Sequence, residues 1–243
     1  MKRKILILLN PGDCNDKEHY CAGVYKDRDN YINFFKSNKG GAWEDDEIIV
    51  RDRVNYCTVK SDLQLLDKMD YSMVIFSGHG YTDVNRKTVL ELSPQDECYA
   101  EVLIHPKRTV ILDCCRKIYY PETLERKATL DSLLLTENMS LVTHYEARMI
   151  YEREIARSDK SPIILYSCDL DECSNDISSR GGLYSRSLIE VGCQWNGPGT
   201  LSVVNAHYKA IDAFNQERYE QHPQISKPRL LHSSYYPFAL DLT

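Results

Sequence analysis

The chain has 243 residues, 42% of them hydrophobic and 27% charged, with a formal net charge of −6. That length and apolar content suffice for one substantial core, and an acidic balance without a basic run excludes nucleic acid as a partner class. Nine cysteines, at positions 14, 21, 57, 98, 114, 115, 168, 173 and 193, form no Cys-x-x-Cys pair, so a reducing, cytoplasmic setting is expected rather than a disulfide framework or a zinc ribbon.

The N-terminus, Met1-Lys2-Arg3-Lys4, begins like a signal peptide, but only five apolar residues precede Asn10-Pro11-Gly12, short of the roughly 7–15 that such a segment needs. Residues 5–9 therefore predict a first strand, and no run is long enough to predict a membrane span. Further short apolar runs predict strands over 47–51, 73–76, 109–112, 162–167 and 237–242. Amphipathic stretches alternate with them, the pattern of βαβ units around a mostly parallel sheet. Within residues 28–37, Tyr31, Phe34 and Phe35 share one helical face, and Leu63, Leu66 and Met69 repeat that spacing. Residues 89–104 hold two apolar segments around Ser93-Pro94-Gln95-Asp96, which predicts a β-hairpin or a small extension. Residues 117–160 break the rhythm, being charged and rich in helix formers, and Thr143-His144-Tyr145-Glu146 fits a capping box. A partly helical insertion or linker is expected there. Beyond it, Ser179-Arg180-Gly181-Gly182 predicts a flexible loop, 183–191 and 204–218 predict helices, and a Pro-rich stretch over 222–229 leads to the final strand.

Two segments carry chemistry. Ser77-Gly78-His79-Gly80 follows Met73-Val74-Ile75-Phe76, and Asp113-Cys114-Cys115-Arg116 follows Thr109-Val110-Ile111-Leu112. If both runs are neighbouring parallel strands, a histidine and a cysteine meet at the sheet edge where open α/β folds place their sites. A free thiol, with a pKa of about 8.5, is mostly protonated at neutral pH and needs a nearby base or positive field; His79 supplies either. Its flanking glycines permit a sharp turn and close approach of substrate. The amides of Gly80 and Cys115 then become candidate oxyanion donors. Taken singly, His79 reads as a loop histidine and the cysteine pair as two small buried residues. A metal site of His79 and both thiols is disfavoured, because adjacent cysteines rarely aim at one ion and no fourth ligand is spaced nearby. The co-occurrence at two strand ends favours a cysteine hydrolase.

With these motifs the sequence resembles the caspase-like cysteine peptidases, and the metacaspases and short prokaryotic relatives more than animal caspases. Phe76-Ser77-Gly78-His79-Gly80 is similar to the family's histidine motif and Leu112-Asp113-Cys114-Cys115 to its cysteine motif. Weaker matches are Gly23-Val24-Tyr25-Lys26-Asp27, Gly181-Gly182-Leu183-Tyr184-Ser185 and Tyr236-Pro237-Phe238. The resemblance implies a three-layer α/β sandwich of the caspase–haemoglobinase type around a mostly parallel sheet. It also implies a single domain over 1–243, with a large-subunit-like part over 1–116, the linker over 117–160 and a small-subunit-like part over 161–243. By the same match Cys115, the third residue of Asp-x-Cys, is the nucleophile, His79 is its partner, and Cys114 is a packing residue. Asp27, Ser77 and Asp113 fall at the positions that form the family's primary specificity pocket. Two carboxylates and a hydroxyl there favour guanidinium or ammonium and repel aspartate, so cleavage of protein or peptide substrates after Arg or Lys is expected.

The chain departs from metacaspases where Arg116-Lys117-Ile118 replaces their His-Ser-Gly, and where Val24 stands in place of a cysteine. No cofactor is implied. Calcium activates many metacaspases, but Asp169-Leu170-Asp171-Glu172 with Asp176 lacks the EF-hand spacing and its glycine, and so reads as a solvated loop. The histidines at positions 19, 105, 144, 207, 222 and 232 sit in no constellation. A chain without a fused sensor implies a separately encoded regulator or target protein. Arg126, Lys127, Arg157 and Lys160 in the linker, and Arg180 beyond it, are candidate sites of self-cleavage. Two rival functions stay open: a caspase-like module that binds without cutting, and a thiol hydrolase acting on a small amide.

Overall fold

Arg3–Asn10 forms the first strand, β1, and its two-residue pleat sends Ile5, Ile7 and Leu9 into one apolar cluster and Leu6 and Leu8 into another. A strand buried on both faces reads as an unbroken apolar run, which is how residues 5–9 read. The computed structural model describes residues 1–17, 19–118, 142–177, 180–217, 220–228 and 234–242. In chain order the elements after β1 are α1 (Gly23–Lys36), β2 (Ile48–Asp52), α2 (Tyr56–Leu66), β3 (Tyr71–Gly78), β4 (Gly80–Thr82), β5 (Thr88–Ser93), β6 (Asp96–Tyr99) and β7 (Arg108–Asp113). There follow α3 (His144–Arg157), β8 (Ile163–Tyr166), β9 (Asp176–Ile177), β10 (Gly181–Gly182), α4 (Leu183–Gln194), β11 (Leu201–Ser202), α5 (Val203–Glu217), β12 (Gln224–Ser226) and β13 (Pro237–Ala239).

The central sheet runs β12-β8-β7-β3-β1-β2, parallel throughout except for the antiparallel edge strand β12. One face is covered by α1, α3, α4 and α5, the other by α2 and the small antiparallel sheet β4-β5-β6. This is the expected three-layer α/β sandwich.

Differences from the sequence reading lie at element ends and in the short strands of the C-terminal half. Helix α2 starts earlier than the Leu63 spacing suggested, because Asn55 caps it by accepting from the Thr58 amide at 2.9 Å, and it stops before Met69. Gly181 and Gly182, read as part of a loop, pair with Ile177 and Asp176 in a two-residue ladder. The C-terminal strand β13 lies outside the central sheet and pairs with β11. The sheet's last place goes to β12 in the Pro-rich stretch, whose only apolar side chain, Ile225, gives almost no periodic signal.

The capping box forms as expected: Thr143 Oγ1 accepts from the Glu146 amide at 3.2 Å, and Glu146 Oε2 accepts from the Thr143 amide at 2.9 Å. The part of the predicted linker over 119–141, with Arg126 and Lys127, lies outside the described residues. Arg157 closes α3 in helical conformation and pairs with Glu154 at 3.1 Å.

Helix α3 is tied to the sheet through Glu47. That carboxylate accepts from Arg3 Nε at 3.2 Å and from Arg148 Nη2 at 2.6 Å, while the Arg3 guanidinium lies 4.2 Å above the Trp43 ring. The Arg3 side chain has no exposed surface, so a Glu47→Ala variant leaves a buried cation with the Gly41 and Ala42 carbonyls and only the more distant Glu152 carboxylate, at 3.9 Å. Urea unfolding should show a loss of about 3 kcal/mol; a loss below about 0.5 kcal/mol would mean that the guanidinium relaxes to water.

Candidate active site

The chain leaves β1 for α1 on one face of the sheet and leaves β3 for β4–β6 on the other. Their carboxyl ends therefore part and open a crevice, the usual ligand site of such sheets. His79 sits there, half-buried, directly after β3, with Nε2 3.2 Å from the Pro11 carbonyl oxygen at the end of β1. Because a carbonyl only accepts, that contact puts the ring proton on Nε2 and makes Nδ1 the acceptor.

Cys115 emerges beside it. Strands β3 and β7 pair in parallel with Ser77 opposite Asp113, so His79 and Cys115 stand equally far beyond that pair on neighbouring strands. Cys115 is 1% exposed, with Sγ 3.9 Å from the Ser174 carbonyl oxygen. The thiol of Cys114 belongs instead to the apolar cluster on the α2 face. Burial, then the neighbouring Cys168, pushes its pKa well above the ordinary thiol value. Gly80 is opposite Leu90 in the β4–β5 ladder, and the Glu91 amide donates to the His79 carbonyl at 3.1 Å. Antiparallel alternation then turns the Gly80 amide away from β5.

Asp27, Ser77 and Asp113, far apart in sequence, border one cavity of about 20 Å³, together with Ser174, Asp176 and Gly182. That is room for about one water molecule. Asp27, on α1 and 1% exposed, accepts from Ser77 Oγ at 2.5 Å and from the Gly182 amide at 2.8 Å. Asp113 accepts from the Ser174 hydroxyl through Oδ1, and through Oδ2 from the Ser185 amide at 3.0 Å and the Ser185 hydroxyl at 2.7 Å. Gly182 is the N-cap of α4 and Ser185 lies in its first turn. Two amides at the start of α4, those of Gly182 and Ser185, are thus satisfied by imported carboxylates, which lie where the helix dipole favours negative charge, while the Leu183 amide donates to the Asn175 carbonyl at 2.9 Å. Glycine at 182 is required by this approach, since a Cβ there would lie 2.2 Å from Asp113 Oδ2.

The burial of Asp27 raises its pKa well above the ordinary carboxylate value, and the charges of Asp113 and Asp176 add to the rise, against the opposing hydrogen bonds from Ser77 and Gly182. Asp176, read from sequence as part of a solvated acidic run, belongs to this cavity. Its Oδ2 accepts from the Gly23 amide at 3.3 Å, at the start of α1. The available signal was negative: neither α1 nor α4 has a capping side chain of its own, Ala22 and Gly182 being their N-caps. Such helix starts need acceptors from elsewhere.

The segment between β8 and β9 covers the cysteine. The Arg116 amide donates to the Glu172 carbonyl and the Asp171 amide to the Arg116 carbonyl, both at 2.9 Å. Buried Gln221 holds the segment from the other side, accepting from the Asn175 amide at 3.0 Å and donating to the Ser167 carbonyl at 2.7 Å. The acids considered for calcium are spent locally: Glu172 pairs with His222 at 2.6 Å and Asp171 accepts from the Ile118 amide at 3.1 Å. Among the described residues no group of three or more His, Cys, Asp or Glu side chains has the arrangement to hold a metal ion. No described helix is long and apolar enough to cross a membrane.

A mostly parallel sheet with a histidine loop and a cysteine loop on neighbouring strand ends defines a caspase-like class of protein. The chain belongs to the caspase domain family, peptidase C14, whose profile matches residues 4–235. Among solved structures, caspase-1 from Spodoptera frugiperda is similar to it with a TM-score of 0.59 at 12% identity, over 93% of this chain and 86% of that one. Identity that low speaks for the shared fold. No match was found among curated proteins.

Proposed function

We propose that this caspase-family chain is a cysteine endopeptidase that cleaves protein or peptide substrates after Arg or Lys. The observation that carries this reading is the cavity beside Cys115, where three carboxylates, Asp27, Asp113 and Asp176, gather with the Ser77 hydroxyl. A guanidinium or ammonium entering it would exchange water for charge-assisted hydrogen bonds, whereas an acidic side chain would meet like charge.

In this reading His79 Nδ1 takes the Cys115 thiol proton while the Pro11 carbonyl holds the ring through Nε2–H. The thiolate adds to the scissile carbonyl, and the amides of Gly80 and Cys115 receive the oxyanion. The imidazolium returns its proton to the leaving amine as the C–N bond breaks. Water, deprotonated by the same histidine, then hydrolyses the thioester and frees the thiol. A scissile bond reaches Cys115 only when the Ser174 segment gives way, and the small cavity must widen with it.

That coverage is the observation favouring the rival reading, a module that binds without cutting. A fluorogenic peptide library varied at the residue before the scissile bond (P1), assayed with and without calcium, separates the two. Turnover confined to Arg and Lys is expected; turnover after acidic residues overturns the pocket assignment, and no turnover favours the silent module.

A further inference from the structure

The caspase-family reading leaves unassigned the hydroxyl that touches Asp113 from behind. Ser185 is wholly buried and makes three contacts at once: its amide and its hydroxyl both donate to Asp113 Oδ2, at 3.0 and 2.7 Å, and its Oγ accepts from Tyr31 OH at 3.1 Å. A carboxylate oxygen offers two acceptor directions. Ser185 fills both on Oδ2. Among the described residues Oδ1 accepts only the Ser174 hydroxyl, which leaves it one further acceptor direction, and the carboxylate borders the cavity. Tyr31, fully buried on α1, spends its proton on Ser185 and so commits the serine hydroxyl to donate toward Asp113.

We propose that Ser185, oriented by Tyr31, is a positioning residue for the P1 pocket: it anchors Asp113 through Oδ2 so that Oδ1 is presented to the cationic side chain of the substrate. The proposal rests on the basic-P1 reading. It accounts for a feature that packing alone does not require, a buried serine whose backbone and side chain both serve one carboxylate oxygen. Without the hydroxyl, Asp113 keeps its amide donor and loses the constraint on its rotation.

The test compares Cys115 labelling in the wild type, Ser185→Ala, Ser185→Cys and Tyr31→Phe, by three reagents: a peptidyl-arginine acyloxymethyl ketone, its P1-alanine counterpart, and iodoacetamide. The Cys115-containing peptide is read by mass spectrometry. In Ser185→Ala, the preference for the arginyl over the alanyl reagent should fall about tenfold, the loss of one hydrogen bond to a charged group. Iodoacetamide labelling should stay within about twofold, because the thiol is not held by Ser185. Ser185→Cys, with a weak donor of similar size, should be intermediate, and Tyr31→Phe should shift the preference the same way by less. With a peptide substrate the loss should appear in KM rather than in kcat.

Thermal unfolding establishes which variants fold, and Tyr31→Phe carries the test should Ser185→Ala fail to. A retained arginyl preference, or equal falls for all three reagents, overturns the assignment and leaves Ser185 a packing residue. A wild type with no arginyl preference overturns the basic-P1 reading, and the assignment with it.

Discussion

Replacement of Cys115 by alanine is expected to abolish turnover, by at least about 10⁴-fold as for other removed nucleophiles, while Cys114→Ala keeps a measurable fraction. The adjacent thiols occupy different environments. Cys115 lies against the Ser174 segment at the edge of the acidic cavity. Cys114 is buried in the apolar cluster on the α2 face, and its raised pKa keeps it a thiol at neutral pH. Its truncation leaves a small cavity, costing about 1–2 kcal/mol of stability, and removes no reacting atom. Kinetics of both variants, with mass spectrometry of the wild type after a peptide-based electrophile, test this. An adduct confined to Cys114 would reverse the assignment.

Asp27→Asn should raise the melting temperature at neutral and alkaline pH while lowering kcat/KM for arginyl substrates about 10²-fold, the scale of a buried charge contact. Asp27 has a folded-state pKa well above its unfolded value of about 3.9. A raised pKa means that its contribution to stability is fully present below the unfolded value and is lost as pH rises through the folded one. Above that window the ionised carboxylate is buried beside Asp113 and Asp176, with the Ser77 hydroxyl and Gly182 amide as its donors. An asparagine carries no charge there. The stabilisation should vanish below about pH 4, where the wild-type aspartate is protonated in both states. Melting curves from about pH 3 to 9 measure it, and an Asn variant less stable at every pH would show that the pocket holds Asp27 ionised at no cost.

The placement of His79 and Cys115 at neighbouring strand ends was legible because each stands three residues beyond an apolar run of four, ended by a serine or an acid, and such a run is local information. The same locality explains the helical face of Tyr31, Phe34 and Phe35 and the Thr143–Glu146 box. Asp27, Ser77 and Asp113 were reached only through family resemblance, since nothing near them in sequence says that they share a cavity. Ser174, Asp176 and Ser185 were not reached as pocket residues at all. Asp113 meets Ser185 across 72 positions and Gly23 meets Asp176 across 153. Such pairings follow from how strands order themselves and where helices begin.

By itself the sequence determined the buried strands β1, β3, β7 and β8, the faces of the longer helices and which residues could do chemistry at the strand ends, because burial and periodicity act on neighbours along the chain. Tertiary structure decided which carboxylate serves which helix, which of the two adjacent cysteines lies against the Ser174 segment, and that β12 rather than β13 completes the sheet. Those outcomes turn on unsatisfied amides and apolar faces finding partners across the fold, and no local pattern encodes the partner.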